Sequence, residues 1–220
     1  MGIQAPSGGN KQSPDGSWEF AIARHAAATR IESAAMSLVS SLARHLPADD
    51  EEAADLRRIL EFVSRQAEPF DRRIVEGHLT ASAFVVSSDG ERVLLLRHRK
   101  LARWLQPGGH GDPGETTGEQ VALRETLEET GISGLALHPA APRPLDVDVH
   151  LIPARHGEPE HEHLDLRYLV LAPADASLRR AEIESEELRW FGWDDVEDLD
   201  LDAGLRRGLG KARAIVAGRR

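Results

Sequence analysis

Residues 108–132 read GGHGDPGETTGEQVALRETLEETGI, a glycine-rich loop running into a helix that carries three carboxylates. Thr116 and Thr117 stand where a helix begins, and Glu119 and Gln120 follow three residues after each, so a capping box is available in two registers. Gly131 stands where a left-handed C-cap ends the helix. At about 100° per residue from Glu125, Glu129 falls near 40° and Glu128 near 300°, so the three acids share one stripe. Leu123 and Leu127 fall near 160–200°, which predicts that they face a core. Arg124, near 260°, flanks Glu128. Like charges at these spacings cost an isolated helix roughly 0.2–0.5 kcal/mol per pair. A hard divalent cation turns that cost into affinity. A solvated acidic face is the other reading in a chain of net charge −10.

The stretch resembles the signature box of the Nudix hydrolases: Gly, five residues, Glu, seven residues, then Arg-Glu-U-x-Glu-Glu-x-Gly-U, where U is bulky and apolar. Gly109, Glu115, Arg124, Glu125, Glu128, Glu129, Gly131 and Ile132 occupy its fixed positions. There are two departures. Eight residues separate Glu115 from Arg124, which predicts a longer entry into the helix. Thr126 replaces an apolar residue, which predicts looser packing beneath it. The resemblance implies an enzyme that hydrolyses a diphosphate linkage between a nucleoside, or a similar group, and another moiety. It implies Mg²⁺ or Mn²⁺ as cofactor, with Glu125 and Glu129 as main ligands, Glu128 beside them, and Arg124 orienting the glutamates. Backbone at Gly108 and Gly109 would approach metal and phosphate closely. The implied fold class is α+β, an α/β/α sandwich around a mixed sheet. A nucleotide-sugar type of substrate is the default, since markers of narrower subclasses are absent; Val147, for one, stands where ADP-ribose hydrolases carry proline. The alternatives are an isomerase resembling isopentenyl-diphosphate isomerase and a non-catalytic nucleotide-sensing module. The intact glutamates weigh against both, and the absence of cysteine weighs against the isomerase.

Outside the box, 220 residues with 40% apolar and 29% charged content describe a globular chain with one good core. Without cysteine there is no disulfide framework and no thiolate site. No apolar run reaches membrane-spanning length and no signal peptide is visible, so a cytoplasmic protein without membrane association is expected. The acidic balance argues against nucleic acid as partner, leaving a small-molecule diphosphate substrate.

Residues 1–17 are Gly, Ser and Pro rich and read as a flexible tail. Ala27, Ile31, Ala34, Leu38 and Leu42 recur at helical spacing, as do Ala53, Leu56, Leu60 and Val63 after Asp49 and Asp50. They predict an αα-hairpin over residues 18–75, too small to stand alone, packed on a catalytic domain of residues 76–220 or building a homodimer.

From His78 the period changes to two. Ala81, Ala83 and Val85 alternate with Ser82, Phe84 and Val86, Asp89-Gly90 turns the chain, and Val93 to Leu96 returns. Arg97, Arg99, Lys100 and Arg103 follow just upstream of the box and are candidate substrate contacts, with a solvated hairpin edge as the other reading. Beyond the box, Leu145–Leu151 and His163–Val170 alternate, each with one apolar face and one rich in histidine and acid. His110, His163 and Asp165 are expected to converge near the glutamates, the histidines as metal ligands and Asp165 as the group activating water. A last strand near Trp190 and a helix from about Asp202 to Val216 complete the pattern.

Overall fold

The computed structural model describes residues 36–155, 157–179 and 185–218. The expected tail and most of the first hairpin helix lie outside these residues. Helical residues 36–42 (α1) precede α2, Asp50–Arg65. Then come β1 Gly77–Val86, β2 Arg92–His98, β3 Arg103–Leu105, β4 Gly108–His110, α3 Gly118–Thr130, β5 Ala136–Leu137, β6 Asp146–Ile152, β7 His161–Leu171, β8 Ser185–Gly192, α4 Trp193–Glu197 and α5 Ala203–Val216.

The strands form one mixed sheet in which β1 and β7 run parallel at the centre and every other pairing is antiparallel. β1 is buried along its whole length because both faces are covered. On one face Leu79, Ala81, Ala83 and Val85 meet Leu164 and Leu166 of β7, Val121 and Ala122 of α3, and Leu56, Ile59 and Phe62 of α2. On the other, Phe84, Val86 and Leu169 meet Leu205, Leu209 and Ala212 of α5. The expected α/β/α layering with a mixed sheet is therefore the observed one. The three-residue strands on either side of Gln106-Pro107 carry too little periodicity to be read locally.

α2 shares the sheet's core and has none of its own. Its N-cap is Asp49, which accepts from the Glu52 backbone N–H at 2.8 Å. Its first turn also enters a buried ionic network. Glu52 and Asp146 are fully buried. Lys211 of α5 pairs with Glu52, and lies 3.0 Å from Asp146, while Arg207 reaches Asp146 at 2.9 Å. His45 closes on Glu52 at 2.6 Å. Burial raises the pKa of the Glu52 carboxyl, but hydrogen bonds from His45, Lys211 and the Ala48 backbone outweigh it and hold the group far below its ordinary range. The network fastens α2, β6 and α5 at one edge of the sheet.

Of the two registers open at the start of α3, Thr117 is the N-cap: the Gln120 backbone N–H donates to Thr117 Oγ1 at 3.3 Å, and the Gln120 side chain accepts from the N–H of Thr116, one residue before the cap, at 3.2 Å. Two expectations for this helix are corrected. Leu127 is 45% exposed instead of facing the core. The helix turns Val121, Ala122, Thr126, Glu129 and Thr130 inward, so the packed stripe centres near the glutamates and away from Leu127. Nor is the packing under Thr126 loose. It is fully buried, and its hydroxyl donates to the Ala122 carbonyl at 2.6 Å, leaving only its methyl towards the sheet. Small and self-satisfied residues let the helix axis approach β1 and β4 closely.

Candidate active site

Gly108 and Gly109 are where that close approach matters. A side chain on Gly109 would start 2.7 Å from the carboxyl carbon of Glu125. The Gly108 N–H donates to Glu129 at 2.9 Å, aiming a carboxylate that is only 6% exposed along the β4 backbone. Gly108 itself lies at φ 157°, against Ser82 of β1.

Arg124 joins the loop to the helix. Its guanidinium donates to both oxygens of Glu115, at 3.0 and 2.9 Å, a bidentate pair. It also donates to Glu125 at 3.0 Å, Glu128 at 3.1 Å and the His110 carbonyl at 2.6 Å. Hydrogen bonding to Glu115 raises the Arg124 pKa above its ordinary value, against the opposing effect of burial. Burial raises Glu115 in turn, and the Arg124 bonds with the Asp112 N–H bring it below the ordinary carboxylate value. A tight turn from Asp112 to Glu115 precedes the helix and presents the Glu115 carboxylate to Arg124. There the Glu115 N–H donates to the Asp112 carbonyl at 3.0 Å and the Asp112 N–H to Glu115 Oε2 at 2.8 Å. The result is a glutamate stripe in which one guanidinium holds Glu125 and Glu128 and the Gly108 N–H holds Glu129, beside the two glycines of β4.

The model of the NUDIX domain matches residues 77–210. The chain belongs to the NUDIX family. A putative 8-oxo-dGTP diphosphatase 3 of Mycobacterium tuberculosis is 31% identical over 134 residues, covering 59% of this chain and 58% of its own length. A putative 8-oxo-dGTP diphosphatase of Bacillus subtilis is 45% identical over 53 residues, 24% of this chain and 35% of that protein. The chain thus spans well under two thirds of either relative. Among solved structures, a MutT NUDIX hydrolase from Burkholderia pseudomallei is 27% identical with a TM-score of 0.47, over 62% of this chain and 98% of its own. The family match begins at Gly77, so α2 lies outside it while sharing its core.

The remaining site expectations divide. His110 and His163 do meet, their Nε2 atoms 3.1 Å apart. Register sets them, with Asp165, on the face of the sheet opposite the one that Gly109 turns to Glu125. Thr80 of β1 pairs in register with both His110 and Asp165, and His78 pairs with His163, so these side chains leave the sheet on one face. Gly109, next to His110, points the other way, towards Glu125. The reason is strand alternation: a neighbour of the glycine that faces the helix must face away from it. Asp165 is 4% exposed and accepts from Thr80 Oγ1 at 3.1 Å, Ser82 Oγ at 2.6 Å and Arg167 Nε at 3.2 Å. Arg167, equally buried, also holds Asp146 at 3.3 Å and Asp148 at 2.8 Å. These bonds give Asp165 a structural setting.

Sequence reading missed His78, which joins the histidines at the start of β1 with ring centroids 5.0–5.2 Å from His110, His161 and His163. The available signal was a string of polar residues, His78, Thr80 and Ser82, at alternate positions in an otherwise apolar strand. Burial, then the neighbouring His110, lowers the pKa of His78 to about 4 and of His163 to about 2. The upstream arginines lie on the β2–β3 hairpin. Arg97 is 3.8 Å from Glu186, and Arg99 and Arg103 are exposed.

Proposed function

We propose that this Nudix chain hydrolyses a diphosphate linkage in a nucleoside diphosphate joined to another moiety, using Mg²⁺ or Mn²⁺ held by Glu125, Glu128 and Glu129. The observation that carries the reading is the Arg124 fork, which fixes Glu115, Glu125 and Glu128 at once while Gly108 fixes Glu129. The donor set fits such an ion: hard carboxylate oxygens of Glu125 and Glu129 lie against the backbone of Gly109 and Gly108, where the Glu125 carboxyl takes the space a Gly109 side chain would need. When bound, the ion neutralises phosphate oxygens and lowers the pKa of water. The chain's own residues pre-orient the ligands and let backbone approach the phosphates, so little reorganisation remains at the moment of reaction. Arg97, Arg99 and Arg103 are proposed to meet the substrate from the hairpin that leads into β4.

The test is a panel of nucleotide sugars and other nucleoside diphosphate derivatives with Mg²⁺ or Mn²⁺, read by phosphate release after phosphatase coupling. Because both curated relatives are named as putative 8-oxo-dGTP diphosphatases, nucleoside triphosphates belong in the panel. Glu129→Gln is expected to lower turnover by about 100-fold or more with the melting temperature nearly unchanged, since removing a ligand costs several kcal/mol of transition-state stabilisation. Turnover within a few-fold of the parent sinks the assignment.

A further inference from the structure

The histidines gathered on the far face of the sheet form a set of their own. His78, His161 and His163 each place a ring nitrogen within 4.8 Å of the others. His110 adjoins them through the 3.1 Å contact with His163. His78 is 2% exposed, and neither of its ring nitrogens has a hydrogen-bond partner among the described residues. A buried imidazole without partners is rare in a native fold and calls for a ligand or another explanation. His161 adds an independent sign. Its Nδ1 lies 2.9 Å from the Pro159 carbonyl. An Nδ1–H donated there leaves the Nε2 lone pair free to ligate, which is how ligating histidines are commonly oriented.

We propose that His78, His161 and His163, with His110 as adjoining fourth donor, bind one divalent transition-metal ion of the zinc class at a site separate from the Nudix glutamates. Neutral imidazole nitrogens suit Zn²⁺, Co²⁺ or Ni²⁺, whereas Mg²⁺ takes hard oxygen ligands. Tetrahedral bonds of about 2.0–2.1 Å put donor atoms about 3.4 Å apart. The His110–His163 contact is already near that spacing, and modest rotations of the other rings draw the set together. Separation from the glutamates follows from β4, where His110 and Gly109 point to opposite faces. Such an ion would tie the starts of β1 and β7 to the end of β4.

The full-length chain, stripped with a chelator, is titrated with Co²⁺ in a large excess of Mg²⁺, and visible absorption and bound metal are both read. One equivalent of Co²⁺ with the intense spectrum of tetrahedral nitrogen coordination is expected, and Glu129→Gln should keep it. His161→Ala and His163→Gln should each weaken Co²⁺ at least tenfold, with metal-free melting curves confirming that the variants fold. Absence of Mg²⁺-resistant Co²⁺ binding overturns the proposal. So does a weak octahedral spectrum in the unaltered chain, which needs no variant to read, or binding lost in Glu129→Gln. The site does not depend on the hydrolase reading, and its readout is metal binding rather than turnover.

Discussion

Replacing Arg124 by lysine keeps the charge and removes the fork. Arg124 donates five hydrogen bonds, to Glu115 twice and once each to Glu125, Glu128 and the His110 carbonyl. A lysine ammonium has three donors on one nitrogen, so at least two bonds are lost, and the bidentate Glu115 pair cannot be reproduced. A hydrogen bond to a charged group contributes about 1.5–3 kcal/mol. The Arg124 side chain is 22% exposed and Glu128 55%, so solvent screening reduces each contribution by roughly half. The loss is therefore about 1.5–3 kcal/mol, spread between orientation of the glutamates and stability of the loop. If most of it falls on orientation, kcat/KM at limiting Mg²⁺ drops about 10- to 100-fold. Because Arg124 acts through the glutamates, the midpoint of Mg²⁺ activation should move to higher concentration, and saturating Mg²⁺ should restore much of kcat. The assay is a set of Mg²⁺ activation curves for the parent and Arg124→Lys on one diphosphate substrate. A rate within twofold of the parent and an unmoved midpoint refute the positioning role.

Three further outcomes concern the scaffold. Gly208→Ala puts a methyl into the ring of Phe84, so a loss of about 1–3 kcal/mol should appear in denaturant unfolding despite the roughly 1 kcal/mol gain in helix propensity; a gain would mean that α5 can move off the sheet. Glu52 has a depressed folded pKa, so its stabilisation is complete above about 4.5 and is lost as pH falls below that value. Glu52→Gln should lower the melting temperature at neutral pH and flatten its fall on acidification, and an unchanged acid limb would show that other carboxylates dominate. Asp165→Asn should destabilise the fold by about 1–3 kcal/mol by weakening its bonds with Arg167, while turnover at a permissive temperature stays within a few-fold. A tenfold fall in kcat in the folded variant would return Asp165 to the chemistry.

Much of the candidate site is local, and for that reason was legible in the chain. Thr117, Gln120 and Gly131 bound α3 through interactions spanning a few residues, and the acid stripe follows from helical period alone. The alternation of His163, Asp165 and Arg167 with Leu164, Leu166 and Tyr168 likewise appears in β7 as one polar and one apolar face. What period could not decide was rotation and side. A helical wheel places Glu129 relative to Leu127 but contains no information about which flank meets a sheet. Here the small Val121, Ala122 and Thr126 flank won because it lets α3 approach the glycines of β4, and Leu127 was left in solvent. The histidine group depended on register. His78 and His163 are neighbours only because β1 and β7 pair in parallel, and that pairing is set by two helix-covered cores rather than by anything near either residue. The same register turned His110 and Asp165 to the face opposite the one Gly109 presents to Glu125, since adjacent residues of a strand must face opposite layers.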